Sequence, residues 1–326
     1  MASYLSYMAN LGRPTVSTFV KNLTMKVVLT GSISNIGKPL VTELVGKGHS
    51  VTVISSNSGR KAAIEALGAK AAIGAMQDVS FLTQTFEGAD VAYLMETMDA
   101  AGGDVSAEEN DFIAVINQIG QNYKQAIETA GIKNVIHLSS IGAHMDKGNG
   151  ILIFHHHVEN ILKQLPADVS IKTLRPVGFF TNLFGAIDTI KNQGSIISNY
   201  GGDRKEPWVS PLDIASVIAE EVEKPFDGRS VRYIASDEIS PNEIAAALSK
   251  AIGKPDLQWQ VVSDKQLLSK WLSIGFNPLV AHGYIEMQAS MGTGELYEDY
   301  YKNPPVLGKV KLDDFARQFA EAYQEA

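Results

Sequence analysis

Lys26-Val27-Val28-Leu29-Thr30-Gly31-Ser32-Ile33-Ser34-Asn35-Ile36-Gly37-Lys38-Pro39-Leu40 decides how this chain is read. Residues 26–30 predict a short buried strand, and residues 31–37 a glycine-bearing turn. Residues 36–45 predict a helix with Leu40, Val41 and Leu44 on its apolar side, running out at Gly46 and Gly48 before a second strand at 51–54. Pro39 falls in the first helical turn, where a missing backbone N–H is tolerated. Such a strand, turn, helix, strand unit points the N–H groups of its first turn at a ligand phosphate.

The alternation continues outward from this unit. Ser55-Ser56-Asn57-Ser58-Gly59-Arg60-Lys61 is a polar loop leading into a short helix that ends at Leu67, and residues 71–73 predict a third strand. Asp78 is placed to cap a helix that Gly88 breaks, and residues 91–95 predict a fourth strand. Residues 102–109 are expected as a loop or lid, followed by a long helix to about Ala130 with Gly120 as its weakest point. A fifth strand at 135–138 ends in Ser139-Ser140-Ile141-Gly142; a helix around 153–165 and a sixth strand at 169–174 follow. The pattern predicts an α/β fold, a doubly wound parallel sheet with helices on both faces. Ligands of such sheets lie beyond the carboxyl ends of the strands, where Ser139, Ser140 and the residues after Leu174 emerge.

Past Pro176 the alternation becomes irregular. A helix at 211–222 and a late strand at 231–234 are expected to return to the main domain. Ser240 and Glu243 form a capping box for a helix to residue 252, with Pro241 at its first position and Gly253 after its end. From Pro255 onward a small, mainly helical subdomain is expected, closed by a helix at 312–323.

Composition narrows the function classes. With 28 Lys+Arg against 36 Asp+Glu the net charge of -8 gives no support for binding nucleic acid or an anionic membrane. The lack of cysteine excludes disulfides, thiolate metal sites and a cysteine nucleophile, and it fits a cytoplasmic protein. No run reaches the roughly 18 apolar residues that span a bilayer. Residues 1–24 carry Arg13 and Lys21 and no acid, but lack the apolar stretch and cleavage site of a secretory signal; they are read as an appendage of unassigned role.

The segments Thr30-Gly31-Ser32-Ile33-Ser34-Asn35-Ile36-Gly37, Leu138-Ser139-Ser140 and Leu174-Arg175-Pro176-Val177-Gly178-Phe179-Phe180-Thr181-Asn182 resemble the atypical short-chain dehydrogenase/reductases that include NmrA-like proteins and NAD(P)H:quinone reductases. The likeness spreads over about residues 25–315. It implies a Rossmann core at 25–176 and a mixed region at 177–326 that returns elements to the core and builds a substrate-binding subdomain. It also implies NADP or NAD as cofactor. The family usually has three glycines where Gly31, Ser34 and Gly37 stand, so a serine hydroxyl here meets the expected diphosphate. Ser34 either bonds a phosphate oxygen or narrows the approach.

Ser55, Ser56, Asn57 and Ser58 stand where an acid would bind an unmodified NAD ribose, and Arg60 and Lys61 are close enough to neutralise a 2′-phosphate. NADPH over NADH is therefore expected, or else those two residues are a solvated helix start. The expected cofactor residues are Gly31, Ser32, Ser34, Asn35, Ile36, Gly37, Ser55, Asn57, Arg60, Lys61, Met95, Ser139 and Pro176. No flavin or metal is expected.

The tyrosine and lysine pair of ordinary short-chain enzymes is absent from the helix near residue 155, where Phe154-His155-His156-His157-Val158-Glu159 stands instead. The quinone-reductase branch has a similar histidine and glutamate pair, which maps to His155 and Glu159. These two share a helical face at i,i+4, so His155 is the expected proton donor to a quinone or carbonyl oxygen and Glu159 its orienter. The alternative is a packing or capping cluster. Three consecutive histidines fan around a helix and so argue against zinc.

On the substrate side the expected residues are Ser140, His144, Phe179, Phe180, Asn182 and Tyr284, with core packing the alternative for the aromatics. Arg175-Pro176 is expected to set chain direction and brace the nicotinamide side, and Asp213 to cap a helix near the cleft. The reading is an NADPH-preferring reductase of a small quinone or activated carbonyl compound. The alternatives are a non-catalytic NADP-binding regulator with a protein partner, and an interaction protein that has lost nucleotide binding.

Overall fold

The computed structural model describes residues 24–97 and 111–326. The expected loop at 102–109, and the appendage apart from Thr24, lie outside the described residues. The chain runs β1 (Lys26–Leu29), α1 (Gly37–Gly46), β2 (Ser50–Ser55), α2 (Lys61–Ala66), β3 (Lys70–Ile73), α3 (Val79–Phe86), β4 (Val91–Met95), α4 (Phe112–Ala130), β5 (Asn134–Leu138), α5 (Ile153–Leu162) and β6 (Ser170–Pro176). It continues through β7 (Gly178–Phe179), α6 (Ile187–Gln193), β8 (Ser195–Ser198), β9 (Glu206–Val209), α7 (Pro211–Glu223), β10 (Arg229–Ile234), β11 (Asp237–Ile239) and α8 (Pro241–Ile252). The last elements are β12 (Gln258–Val261), α9 (Asp264–Ser273), α10 (Pro278–Thr293), α11 (Glu298–Lys302) and α12 (Leu312–Glu325).

Seven strands form one parallel sheet in the order β10-β6-β5-β4-β1-β2-β3. Val27, Val28 and Leu29 are buried, as are Val91 to Leu94, because helices cover both faces and each strand must be apolar on both. Strand order reverses between β1 and β4, which opens a crevice at their carboxyl ends. This is a Rossmann-type fold with a mainly helical C-terminal part.

Capping follows the sequence closely. Asp78 accepts from the Phe81 N–H at 3.0 Å, and Ser240 and Glu243 close their reciprocal box on α8. Gly120 is no weak point: a Cβ there would lie 3.2 Å from Val158 and 3.3 Å from Ile161, so the glycine lets α5 press against α4. Ser210, not Asp213, caps α7, accepting from the Leu212 N–H at 3.2 Å. Asp213 instead accepts from the N–H groups of Lys309 and Val310, both at 3.0 Å, and from the Ser236 hydroxyl. It ties the approach to α12 onto the main domain.

The region after β6 holds short strands as well as helices. β9 pairs in parallel with β7 and antiparallel with β11, while β8 pairs in parallel with β12. α12 packs on α8, and α10 packs on the turn Gly150–Leu152 that leads into α5.

β9 begins on a buried acid, Glu206, which accepts from the Tyr297 hydroxyl at 3.3 Å. Burial, more than the hydroxyl donor opposing it, pushes its carboxyl up to about 7. A carboxyl raised in the fold contributes fully below its unfolded pKa of 4.5, and that contribution is lost as pH climbs to about 7. Glu206→Gln is therefore expected to be more stable than the parent by up to about 3 kcal/mol at pH 8 and to lose the advantage near pH 4.5. Urea midpoints at the two pH values check this; equal differences at both would show that Glu206 is not held protonated.

Candidate functional site

The crevice is fastened at its base by Thr30. Its N–H donates to the Tyr93 carbonyl at 3.1 Å, and its hydroxyl accepts from the Met95 N–H at 2.8 Å, joining the ends of β1 and β4. The turn above is tightly determined. Gly31 has φ of +85° and Ser32 +60°, the latter a left-handed conformation uncommon for a serine. Ser32 is held there by its N–H on the Ile54 carbonyl at 3.1 Å and its hydroxyl on the Ser55 hydroxyl at 3.1 Å. A Cβ on Gly37 would lie 1.9 Å from the Ser32 carbonyl oxygen, and one on Gly31 would lie 2.1 Å from the Met95 sulfur. Gly37 is thus required by its close approach to backbone and Gly31 by its φ, with the Met95 side chain lying across the turn.

Among the described residues no side chain caps α1, although Ile36 at its start is buried. Ser34 and Asn35 are exposed there, and the Ser34 carbonyl accepts from the Lys38 N–H at 3.0 Å. An uncapped helix start beside exposed polar residues suits an anion, which the helix dipole favours. The serine in place of the middle glycine is exposed instead of packed beneath the turn.

At the end of β2 the polar loop divides its work. Ser55 is buried and braces the turn through Ser32 and Asn57, so its hydroxyl is committed within the protein. The Asn57 side chain accepts from the Gly59 N–H at 2.8 Å and caps a short helical turn. Arg60 and Lys61 are exposed; Lys61 lies 4.0 Å from Glu65, and Arg60 has no ion pair among the described residues. A guanidinium and an ammonium at this strand end have the charge to meet a phosphate.

On α5 the three histidines fan apart, each with its own surroundings. His156 donates from Nδ1 to the Ala143 carbonyl at 3.0 Å, and its Nε2 accepts from the Asn160 amide at 2.8 Å. His157 accepts at Nδ1 from the Asn117 amide at 3.2 Å. His155 turns inward, with a side chain 12% exposed. Among the described residues no three His, Asp or Glu are grouped to hold a metal ion.

The expected pairing of His155 with Glu159 does not form. Glu159 accepts two parallel bonds from Arg175, Nε to Oε1 at 2.9 Å and Nη2 to Oε2 at 2.7 Å, and a third from the Ser139 hydroxyl at 2.7 Å. A buried carboxylate needs a compensating charge, and a forked guanidinium meets both oxygens where an imidazole meets one. Burial opposes ionisation of Glu159, but the Arg175 bonds and charge outweigh it and leave the carboxyl below its ordinary range. Arg175 thus locks β6 to α5 instead of merely bracing the cleft; its Nη1 also reaches the Tyr233 hydroxyl and Asp299 on α11.

The acid that faces His155 is Glu96, immediately after β4. Its Oε2 lies 4.0 Å from His155 Nδ1 and 3.1 Å from His137 Nε2, and neither Glu96 nor His137 has exposed side-chain surface. Burial works against the His137 imidazolium, yet the Glu96 charge and hydrogen bond leave that ring above its ordinary pKa. His155 is brought down to about 4, chiefly by burial and further by His137, against the pull of Glu96. Sequence reasoning missed Glu96 and His137. One signal existed: His137 is two residues before Ser139, so both sit on the same sheet face.

Ser139, Ser140, Met95, Gly31 and Pro176 all gather at the carboxyl ends of the strands. The Pro176 carbonyl accepts from the Ile141 N–H at 2.8 Å, and the Ser140 carbonyl closes a turn with the Ala143 N–H at 3.3 Å. His144 follows, half-buried and held below its usual pKa mainly by burial. Phe179 is half-buried and Asn182 exposed on the neighbouring segment. Phe180 is a correction: it is 1% exposed, stacked 6.1 Å from Trp208 and 5.2 Å from Phe315, and belongs to the core of the C-terminal part. Tyr284 stands edge-on to Trp271 at 6.2 Å, on α10.

Several solved structures share this architecture. An NADPH-dependent quinone oxidoreductase of Escherichia coli, complexed with NADPH, is 19% identical with a TM-score of 0.73, covering 90% of this chain and 99% of that one. Triphenylmethane reductase of Citrobacter sp., complexed with NADP(H), is 16% identical with a TM-score of 0.70, covering 90% and 99%. NmrA, a negative transcriptional regulator in complex with NADP, is 16% identical with a TM-score of 0.62, covering 91% of each chain. At such identities the likeness is one of fold. No curated protein sequence matches the chain. The family model does: it matches residues 24–313, and the chain belongs to the NmrA-like family.

Proposed function

We propose that this protein is an NADPH-preferring reductase that passes hydride to a small quinone or activated carbonyl compound. The observation that carries the reading is the uncapped start of α1 over a glycine turn, with Arg60 and Lys61 exposed at the neighbouring strand end that lacks an acid. The turn from Gly31 to Gly37 would hold the diphosphate, and Arg60 and Lys61 the 2′-phosphate. The bound cofactor supplies the hydride. Met95, Ser139 and Pro176 stand at the strand ends beside its reactive end; Ser140, His144, Phe179 and Asn182 lie toward the substrate. The similarity in fold to structures complexed with NADPH or NADP supports the cofactor.

Reduction of a quinone or carbonyl leaves an oxygen that must take one proton. His155 is the proposed donor, and its neutral ring gives a proton at Nε2 only as another arrives at Nδ1. Calorimetric titration with NADPH and NADH, followed by turnover against quinones and aldehydes, tests the reading. Replacing both Arg60 and Lys61 with serine is expected to weaken NADPH binding about 10- to 100-fold, roughly 1.4–2.7 kcal/mol, and to leave NADH binding unchanged. Equal losses for both nucleotides would remove the 2′-phosphate assignment.

A regulatory reading has one observation in its favour: α5 carries no tyrosine and lysine pair of the ordinary short-chain type. Nucleotide binding without oxidation of NADPH, together with a protein partner whose affinity follows the redox state of NADP, would support it.

A further inference from the structure

We propose that Glu96 and His137 form a buried proton store that feeds His155 during turnover. The inference rests on the reductase reading, and it deepens that reading by giving the donor a source. Glu96 Oε2 is shared between the two rings, 3.1 Å from His137 Nε2 and 4.0 Å from His155 Nδ1. Only His155 has an exposed edge, so a proton held on the inner pair reaches the cleft through it. Among the described residues Glu96 Oε1, His137 Nδ1 and His155 Nδ1 are all buried without a hydrogen-bond partner. Native proteins rarely leave three such atoms in one place, and doing so is costly unless the groups have a use.

Hydride delivery reduces the substrate and oxidises NADPH, leaving a negative charge on a substrate oxygen. That oxygen takes the Nε2 proton of His155, whose Nδ1 takes a proton from Glu96 Oε2, which takes one from His137 Nε2. N–H bonds break at His137 Nε2 and His155 Nε2; bonds to hydrogen form at His155 Nδ1 and the substrate oxygen. His137 passes from cation to neutral, the substrate from anion to neutral, and Glu96 stays a carboxylate. After product leaves, a solvent proton returns by the same atoms in reverse. Closing the 4.0 Å separation to a hydrogen bond takes a movement of about 1 Å, within what catalytic groups show between free and bound states. At rest His137 is pulled above its usual pKa while His155 is held down to about 4, so the proton is stored inside and does not rest on the relay; the anionic substrate oxygen left by hydride transfer is the base that draws it outward. Glu159 on α5, Arg175 on β6, Tyr93 on β4 and Tyr123 on α4 are the other titratable groups acting on the cluster.

Two measurements test this on the full chain. Nitrogen-15 NMR of the imidazoles reads the cluster without turnover: His137→Gln removes the cation that opposes His155, so the His155 titration is expected to move up from about 4. An unmoved His155 titration would overturn the proposal whatever the enzyme's substrate. Single-turnover rates with NADPH and the best quinone in the panel read the transfer. His137→Gln is expected to lower the rate about 100-fold and to abolish the limb of the pH profile at which His137 titrates, with NADPH affinity unchanged. A pH profile of the same shape in parent and variant would also overturn it, since a merely structural pair changes stability and not that limb. If no substrate turns over, the reductase reading falls, and the NMR result still decides whether the two rings share one proton.

Discussion

Gly37→Ala is expected to cost about 3 kcal/mol of stability and to weaken nucleotide binding at least tenfold, roughly 1.4 kcal/mol. The added Cβ would sit 1.9 Å from the Ser32 carbonyl oxygen, and that oxygen belongs to backbone that no rotamer change can move. Ser32 is already at φ of +60° and is fastened to β2 through Ile54 and Ser55. Relief therefore requires shifting the whole turn away from β2, which misplaces the N–H groups meant for the diphosphate. Gly46→Ala makes the control. It lies at the end of the same helix with nothing among the described residues within 4 Å of a Cβ, and alanine there is expected to stabilise by up to about 1 kcal/mol. Urea midpoints and NADPH calorimetry on both variants check the pair. If Gly37→Ala matches the parent in both, the turn is not a rigid cradle.

The features that made this turn legible in sequence are local ones. Strand, turn and helix are contiguous, and their signals of apolar run, glycine and periodic leucines act over a few residues. The capping of α3 by Asp78 and of α8 by Ser240 and Glu243 was readable for the same reason. What failed depends on partners distant in the chain. β7, β8, β9, β11 and β12 are two to four residues long and exist because a matching edge arrives from elsewhere, so no period-2 pattern announces them. Phe180 sits in a segment that looks like a pocket wall, but two aromatic rings from later elements enclose it. The i,i+4 spacing of His155 and Glu159 was real geometry with the wrong consequence, because Arg175 from β6 takes both oxygens of Glu159, and the acid that His155 turns toward is Glu96, just after β4. Helical spacing says which side chains can meet on one helix. It does not say which charges the sheet beneath will offer them.

Arg175→Met is expected to be the most damaging single change in the site, costing about 3–5 kcal/mol at pH 8. The side chain keeps much of its apolar bulk, but Glu159 is left as a buried carboxylate whose remaining support among the described residues is the Ser139 hydroxyl, the charge of His137 and the more distant Lys163, 3.8 Å away. In the parent, Glu159 has its carboxyl depressed by Arg175, so its contribution is present above the unfolded pKa and is lost as pH falls through the folded value. In the variant the sign reverses. Without Arg175 burial outweighs the Ser139 bond and the His137 charge and raises the carboxyl, Glu159 takes up a proton in the fold, and the deficit relative to the parent shrinks as pH falls toward 4 and below. Adding Glu159→Gln to Arg175→Met removes the uncompensated charge while keeping an acceptor for Ser139, so the double variant is expected to regain most of the loss at pH 8 and to show little dependence on pH. Chemical denaturation of the two single variants, the double variant and the parent at pH 5 and pH 8 completes the cycle. A loss from Arg175→Met that is the same at both pH values, and that the double variant does not relieve, would mean that Arg175 acts through Tyr233 and Asp299 on α11 and not through the charge of Glu159.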